Sequence, residues 1–121
     1  MASSLTAEPD LDWCREAVHG VSRTFAVTVD VLDEPMASRI CLGYLLCRVA
    51  DTVEDAGHVP PAAQARLLRT YDAALDPDDD TEMVDFRADV DEWLPDPEAR
   101  DEDWAVVAEA PTVWATFAEQ P

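Results

Sequence analysis

"CLGYLLCRVADTVEDAG", residues 41–57, begins as apolar as a buried helix and ends in acid, with Asp51, Glu54 and Asp55 following Arg48. On an α-helix each residue advances about 100°, so these carboxylates fall within roughly a 100° arc, stacked along about 6 Å of axis. Arg48 precedes Asp51 by three and Asp55 by seven, which puts it on the same stripe. Leu45, Leu46, Val49, Ala50 and Val53 make the helix apolar on nearly every other side. Neighbouring carboxylates repel one another, and one arginine cannot neutralise three. From spacing alone, two readings stand. One is a surface ion-pair ladder, worth about 0.3–0.5 kcal/mol per pair. The other is a divalent cation: magnesium takes one or two carboxylates and completes its shell with water and phosphate oxygens.

Working outward, Pro35 suits the first position of this helix, with Asp33 or Glu34 as the preceding cap and Gly57 as its C-terminal stop. Upstream, a first helix is predicted from Asp10 as N-cap to Gly20, after a flexible stretch over residues 1–9. "VSRTFAVTVDVL" (21–32) leans towards a strand by its Val and Thr content, while its length suits either state. Downstream, Pro60 and Pro61 open a helix whose Leu67, Leu68, Tyr71 and Leu75 share a face. Met83, Phe86, Val90, Trp93 and Leu94 recur at helical spacing until "PDP" (95–97); Trp104, Val107, Val113, Trp114 and Phe117 mark one or two further helical pieces. The predicted class is all-α with short connections. The acids of "DPDDD" (76–80) imitate the start of an EF-hand loop, but Thr81 and Arg87 stand where the loop needs glycine and a bidentate acid. A solvated turn is the better reading.

The 121 residues suffice for one domain. Eight basic residues, all arginine, face 27 acids, for a net charge of −19. Such a surface repels nucleic acid and anionic lipid. With 48% hydrophobic residues and four Trp, the acidity does not read as disorder. It reads as adaptation to a salty cytoplasm, where charges are screened within about 3 Å at 1 M salt. A fold equally stable in dilute buffer and in multimolar salt would count against that. Cys14, Cys41 and Cys47 show no CxxC spacing and suggest reduced thiols and a cytoplasmic location, with attachment to a membrane surface left open. The apolar run Ile40 to Cys47 is too short to span a membrane. His19, His58 and the tryptophans Trp93, Trp104 and Trp114 read as structural or packing residues.

"YLLCRVADTVED" (44–55), with "SRTF" (22–25) a short distance upstream, resembles the paired motifs of the squalene/phytoene synthase family. "DTVED" is closer to its squalene synthase branch. The resemblance covers residues 11–57 and is loose over 58–121. It implies an all-α helical bundle of the isoprenoid (terpenoid) synthase type, occupying residues 10–121 and incomplete here. It overrides the strand inclination at 21–32, and the lack of lysine suggests a haloarchaeal member.

The activity implied is the head-to-head joining of two prenyl diphosphates, farnesyl or geranylgeranyl diphosphate. The product would form through a cyclopropyl diphosphate to squalene, or to phytoene or dehydrosqualene. By the same resemblance, Asp51, Glu54 and Asp55 would hold Mg2+, and Arg48 and Arg23 would bind diphosphate. Ser22 and Thr24 would donate hydroxyl hydrogen bonds, and Phe25 would line the prenyl cavity. Without the neighbouring acids, "SRTF" would read as a helix start capped by serine. Diphosphate leaves only when its growing charge is neutralised, and the allylic cation needs a dry cavity.

A second aspartate-rich motif, and a site for the NADPH a squalene synthase would use, are not evident; "DFRADVDEW" (85–93) reads as an ordinary amphipathic helix. The expectation is therefore an N-terminal portion, inactive alone. Two rival readings remain. A head-to-tail prenyl transferase or terpene cyclase usually carries DDxxD, absent here. A non-catalytic helical module would self-associate, or bind a partner, through uncovered apolar faces.

Overall fold

The computed structural model describes residues 2–120, with side chains from Asp10 onward. The described residues form α-helices joined by short turns and two 3-10 segments, with no strand among them, as the all-α reading expected. The helices are α1 (Ala2–Val21), α2 (Arg23–Asp30), α3 (Met36–Glu54), α4 (Pro61–Leu75), α5 (Met83–Val90), α6 (Glu102–Ala108) and α7 (Ala110–Ala118). No helix among the described residues is long and apolar enough to cross a membrane.

The chain divides into two compact units: residues 1–47 with 112–121, and residues 48–111. In the first, α1 packs on α2 and buries Cys14 and Val18, while α2 buries Ala26 and Val29. Helix α1 starts at Ala2, well before the expected N-cap at Asp10. It runs through Pro9 at the loss of the single ladder bond that proline cannot donate. The stretch 1–9, expected as a flexible lead-in, thus has its backbone from Ala2 in this helix; its side chains lie outside the described residues.

Helix α2 confirms the helical reading of "SRTF" over the strand inclination. Its N-cap, Ser22, has extended backbone and accepts from the Phe25 N–H at 3.2 Å. That bond satisfies one of the orphan amides every helix start exposes. Helix α3 begins one residue after Pro35, and Glu34 caps it as expected. Its carboxylate accepts from the Ser38 N–H at 2.9 Å and from the Ser38 hydroxyl at 2.7 Å. Ala37, Cys41, Leu42 and Leu45 form the buried stripe of α3 in this unit.

In the second unit, α4 packs on α5. Ala63, Leu67, Tyr71 and Ala74 interlock with Met83, Phe86 and Val90, and the Tyr71 and Phe86 rings meet at 4.9 Å. Leu68 and Leu75, placed on this face by periodicity, are only partly covered. Residues 76–80 form the solvated turn expected: Asp76 accepts from the Asp78 N–H and Asp79 from the Thr81 N–H. Three of the four acids of 85–93 have structural duties. Asp85 accepts from the Glu82 N–H, Asp89 from the Thr70 hydroxyl, and Asp91 pairs with Arg87 at 2.8 Å.

Candidate active site

The site is built at the C-terminal end of α3. Val49 and Val53 turn inward, fully buried, and so fix the opposite face of that last turn and a half towards solvent. On that outward face stand Asp51 and Asp55, both exposed, with Arg48 half-buried. Thr52 does not compete for ligands from here; its hydroxyl donates back to the Arg48 carbonyl at 2.8 Å. Asp55 still donates its N–H to the Asp51 carbonyl at 2.9 Å, so helical geometry persists one residue beyond α3 and holds the two carboxylates one turn apart.

The helix does not end as its sequence suggested. Gly57 has no left-handed backbone. Instead the Gln64 side chain, from the first turn of α4, donates to the carbonyls of Val53 and Glu54 at 3.0 Å and of Ala56 at 3.1 Å. A donor on another helix does what a glycine cap would otherwise do.

Arg48, Asp51, Thr52, Asp55, His58 and Trp104 line a pocket of about 250 Å³, completed by Ala56, Gly57, Asp101 and Asp103. Asp103 Oδ1 accepts from Arg48 Nε–H at 3.1 Å. Asp101 caps α6 by accepting from the Trp104 N–H at 2.9 Å, which sets Asp103 and Trp104 in the first turn of that helix. The His58 ring meets the Trp104 indole edge-on at 5.3 Å. His58 Nε2 lies 2.8 Å from the Trp93 carbonyl, an acceptor, so this nitrogen carries the proton. His58 and Trp104, read from sequence as structural, therefore also shape the pocket wall.

Of the predicted site residues, Arg48, Asp51 and Asp55 come together here. Glu54, exposed beside them, does not line the pocket. Ser22, Arg23, Thr24 and Phe25 belong to the first unit. There Arg23 and Thr24 are exposed, and the Phe25 ring stacks on Tyr44 at 4.1 Å and 17°. Sequence reasoning missed Asp101 and Asp103. The sole local signal was the "DEDW" start of a capped helix, which carries no information about Arg48.

Among the described residues no three His, Cys, Asp or Glu side chains gather into a protein-closed metal site. The donor set at Asp51 and Asp55, two carboxylates one turn apart on the helix, is of the oxygen type that a hard cation takes. It does not fit a structural metal enclosed by protein.

Residues 18–119 match the family model of squalene/phytoene synthase. The chain belongs to that family. It is 38% identical over 64 residues to the Botryococcus squalene synthase of Botryococcus braunii, an overlap covering 53% of this chain and 14% of that protein. It is 36% identical over 70 residues to the presqualene diphosphate synthase of the same organism, covering 58% and 17%. With the inactive squalene synthase 2 of Arabidopsis thaliana it shares 34% identity over 64 residues, covering 53% and 16%. The chain thus spans 14–17% of the length of these relatives. No solved structure matches.

Proposed function

We propose that this chain supplies a diphosphate-binding part of a head-to-head prenyl transferase, acting on two prenyl diphosphates of the farnesyl class. The observation that carries the reading is the convergence of Arg48, Asp51 and Asp55 on one pocket. Asp51 and Asp55 would hold Mg2+. When bound, the ion supplies positive charge where diphosphate gains negative charge as its C–O bond breaks.

The side chains of this protein do the rest. The Arg48 guanidinium presents N–H donors in a plane matched to phosphate oxygens. Arg23, exposed at the start of α2 in the first unit, would offer a guanidinium of the same kind. The Ser22 hydroxyl accepts from the Phe25 N–H and keeps its own proton to donate, and Thr24 offers another hydroxyl. The electron pair of the breaking C–O bond leaves with diphosphate. The double bond of the second prenyl chain then attacks the allylic cation, and loss of a proton gives a cyclopropyl diphosphate. Further reaction would yield squalene, with NADPH as hydride donor, or phytoene or dehydrosqualene by proton loss. The acid-rich surface suits a salt-rich cytoplasm.

Calorimetric titration of the chain with Mg2+ and inorganic pyrophosphate tests the site. Uptake of pyrophosphate that needs Mg2+ and disappears in the Asp51→Asn, Asp55→Asn double variant is the expected result. No uptake, or uptake indifferent to both substitutions, removes the proposal.

A further inference from the structure

Arg48 does not reach into the pocket as a loose cation. Its Nε–H is taken by Asp103 Oδ1 at 3.1 Å, with the two side chains 32% and 38% exposed. Asp103 is in turn held by the start of α6, whose first amides are ordered by the Asp101 cap. The carbonyl of Arg48 itself is tied to Thr52. Both ends of the arginine, main chain and guanidinium, are thereby fixed before any ligand arrives.

We propose that Asp103 is the positioning residue for Arg48: by accepting the Nε–H it sets the plane of the guanidinium that meets a diphosphate. This rests on the reading of Arg48 as a diphosphate ligand. The physical gain is entropic. An unrestrained arginine side chain carries rotamer freedom that a ligand must otherwise freeze out. A fourth carboxylate beside an anion site also has a cost, since it adds negative charge to a pocket already lined by Asp51, Asp55 and Asp101. Geometry and charge therefore predict opposite effects for removal of Asp103, and a conservative variant separates them. Asparagine keeps an oxygen that accepts the Nε–H but loses the charge; alanine loses both.

The experiment is pyrophosphate titration in excess Mg2+ on the full chain, with circular dichroism to verify folding. Asp103→Ala is expected to weaken binding about tenfold, while Asp103→Asn stays within about threefold of wild type. In an Arg48→Lys background, which lacks the Nε–H, Asp103→Ala should add no further loss. Equal or tighter binding by Asp103→Ala, with wild type binding normally, overturns the positioning role alone. Failure of wild type to bind pyrophosphate overturns the diphosphate reading and the positioning role with it. Should Asp103→Ala not fold, the wild-type chain decides by NMR. A slowly exchanging Arg48 Nε–H resonance, identified by its loss in Arg48→Lys, should persist with pyrophosphate bound. Its disappearance on pyrophosphate addition would show that the pair breaks, and would sink the proposal.

Discussion

The Gln64 side-chain amide, one turn into α4, donates to the main-chain carbonyl of Val53 at 3.0 Å, tying the acid-bearing end of α3 to the next helix. The same nitrogen shares its two hydrogens with the carbonyls of Glu54 and Ala56. Gln64→Leu keeps the volume and removes every donor; the Val53 and Ala56 carbonyls then keep only their 3.2 Å bonds from the Ala56 and Val59 N–H groups, and the Glu54 carbonyl loses this donor. The expected loss is about 1–2 kcal/mol, read as a lower urea midpoint at unchanged m-value. Gln64→Lys, which restores a donor to the helix end, should recover part of it. A Leu variant as stable as wild type would mean that solvent satisfies these carbonyls without help.

The "SRTF" block permits a separation of stability from binding. Ser22 caps α2 through the Phe25 N–H, whereas Arg23 is exposed. Ser22→Ala should therefore lower stability by about 1 kcal/mol. Arg23→Gln should leave stability within about 0.5 kcal/mol of wild type yet weaken Mg2+-dependent pyrophosphate binding. If Arg23→Gln binds pyrophosphate as wild type does, the block is a helix start and nothing more.

What could be read from the sequence was local. The Pro35 start, the Glu34 cap and the apolar run made α3 legible end to end except at its terminus. Gly57 suggested a local stop; the actual cap, Gln64, comes from another helix, and spacing rules see only neighbours on one helix. Residues 21–32 show the limit of propensity: Val and Thr favoured a strand, but a serine cap and burial of Ala26 and Val29 against α1 hold a helix. The acidic pair Asp51 and Asp55 was legible because one helix carries both. Asp103 was not, because its partner Arg48 lies 55 residues away and only the fold brings them together. Asp85, Asp89 and Asp91 were legible in the negative sense: their alternation with apolar residues marked an ordinary helix, and each has a structural partner.

Acid should loosen the start of α3. The Ser38 hydroxyl chiefly, opposed by desolvation and aided by the Ser38 N–H and Arg15, holds the Glu34 carboxyl below its ordinary value. A carboxyl with a depressed folded pKa contributes stability above its unfolded pKa, and that contribution fades as pH falls through the folded value. Ser38→Ala removes the main cause. The stability gap between wild type and this variant should be constant near neutral pH and narrow below about pH 4.5. Urea unfolding of both proteins across that range measures it, and a gap independent of pH would exclude Glu34 as its source.

The thiols should divide by burial. Cys14 and Cys41 are buried and Cys47 is exposed on α3. Desolvation is the main influence on the Cys41 thiol and pushes it up to about 11, so little thiolate is present at neutral pH. Its Sγ lies 3.7 Å from the Cys14 carbonyl, a geometry suited to a weak donor in a packed interior. Alkylation of the folded chain at mildly alkaline pH should therefore modify one cysteine rapidly, identified by peptide mapping as Cys47. Cys14 and Cys41 should follow only after urea is added. Cys47→Ser should abolish the fast phase and leave the slow one unchanged. Rapid labelling of Cys41 in the native chain would show that α1 and α3 do not enclose it as the described packing requires.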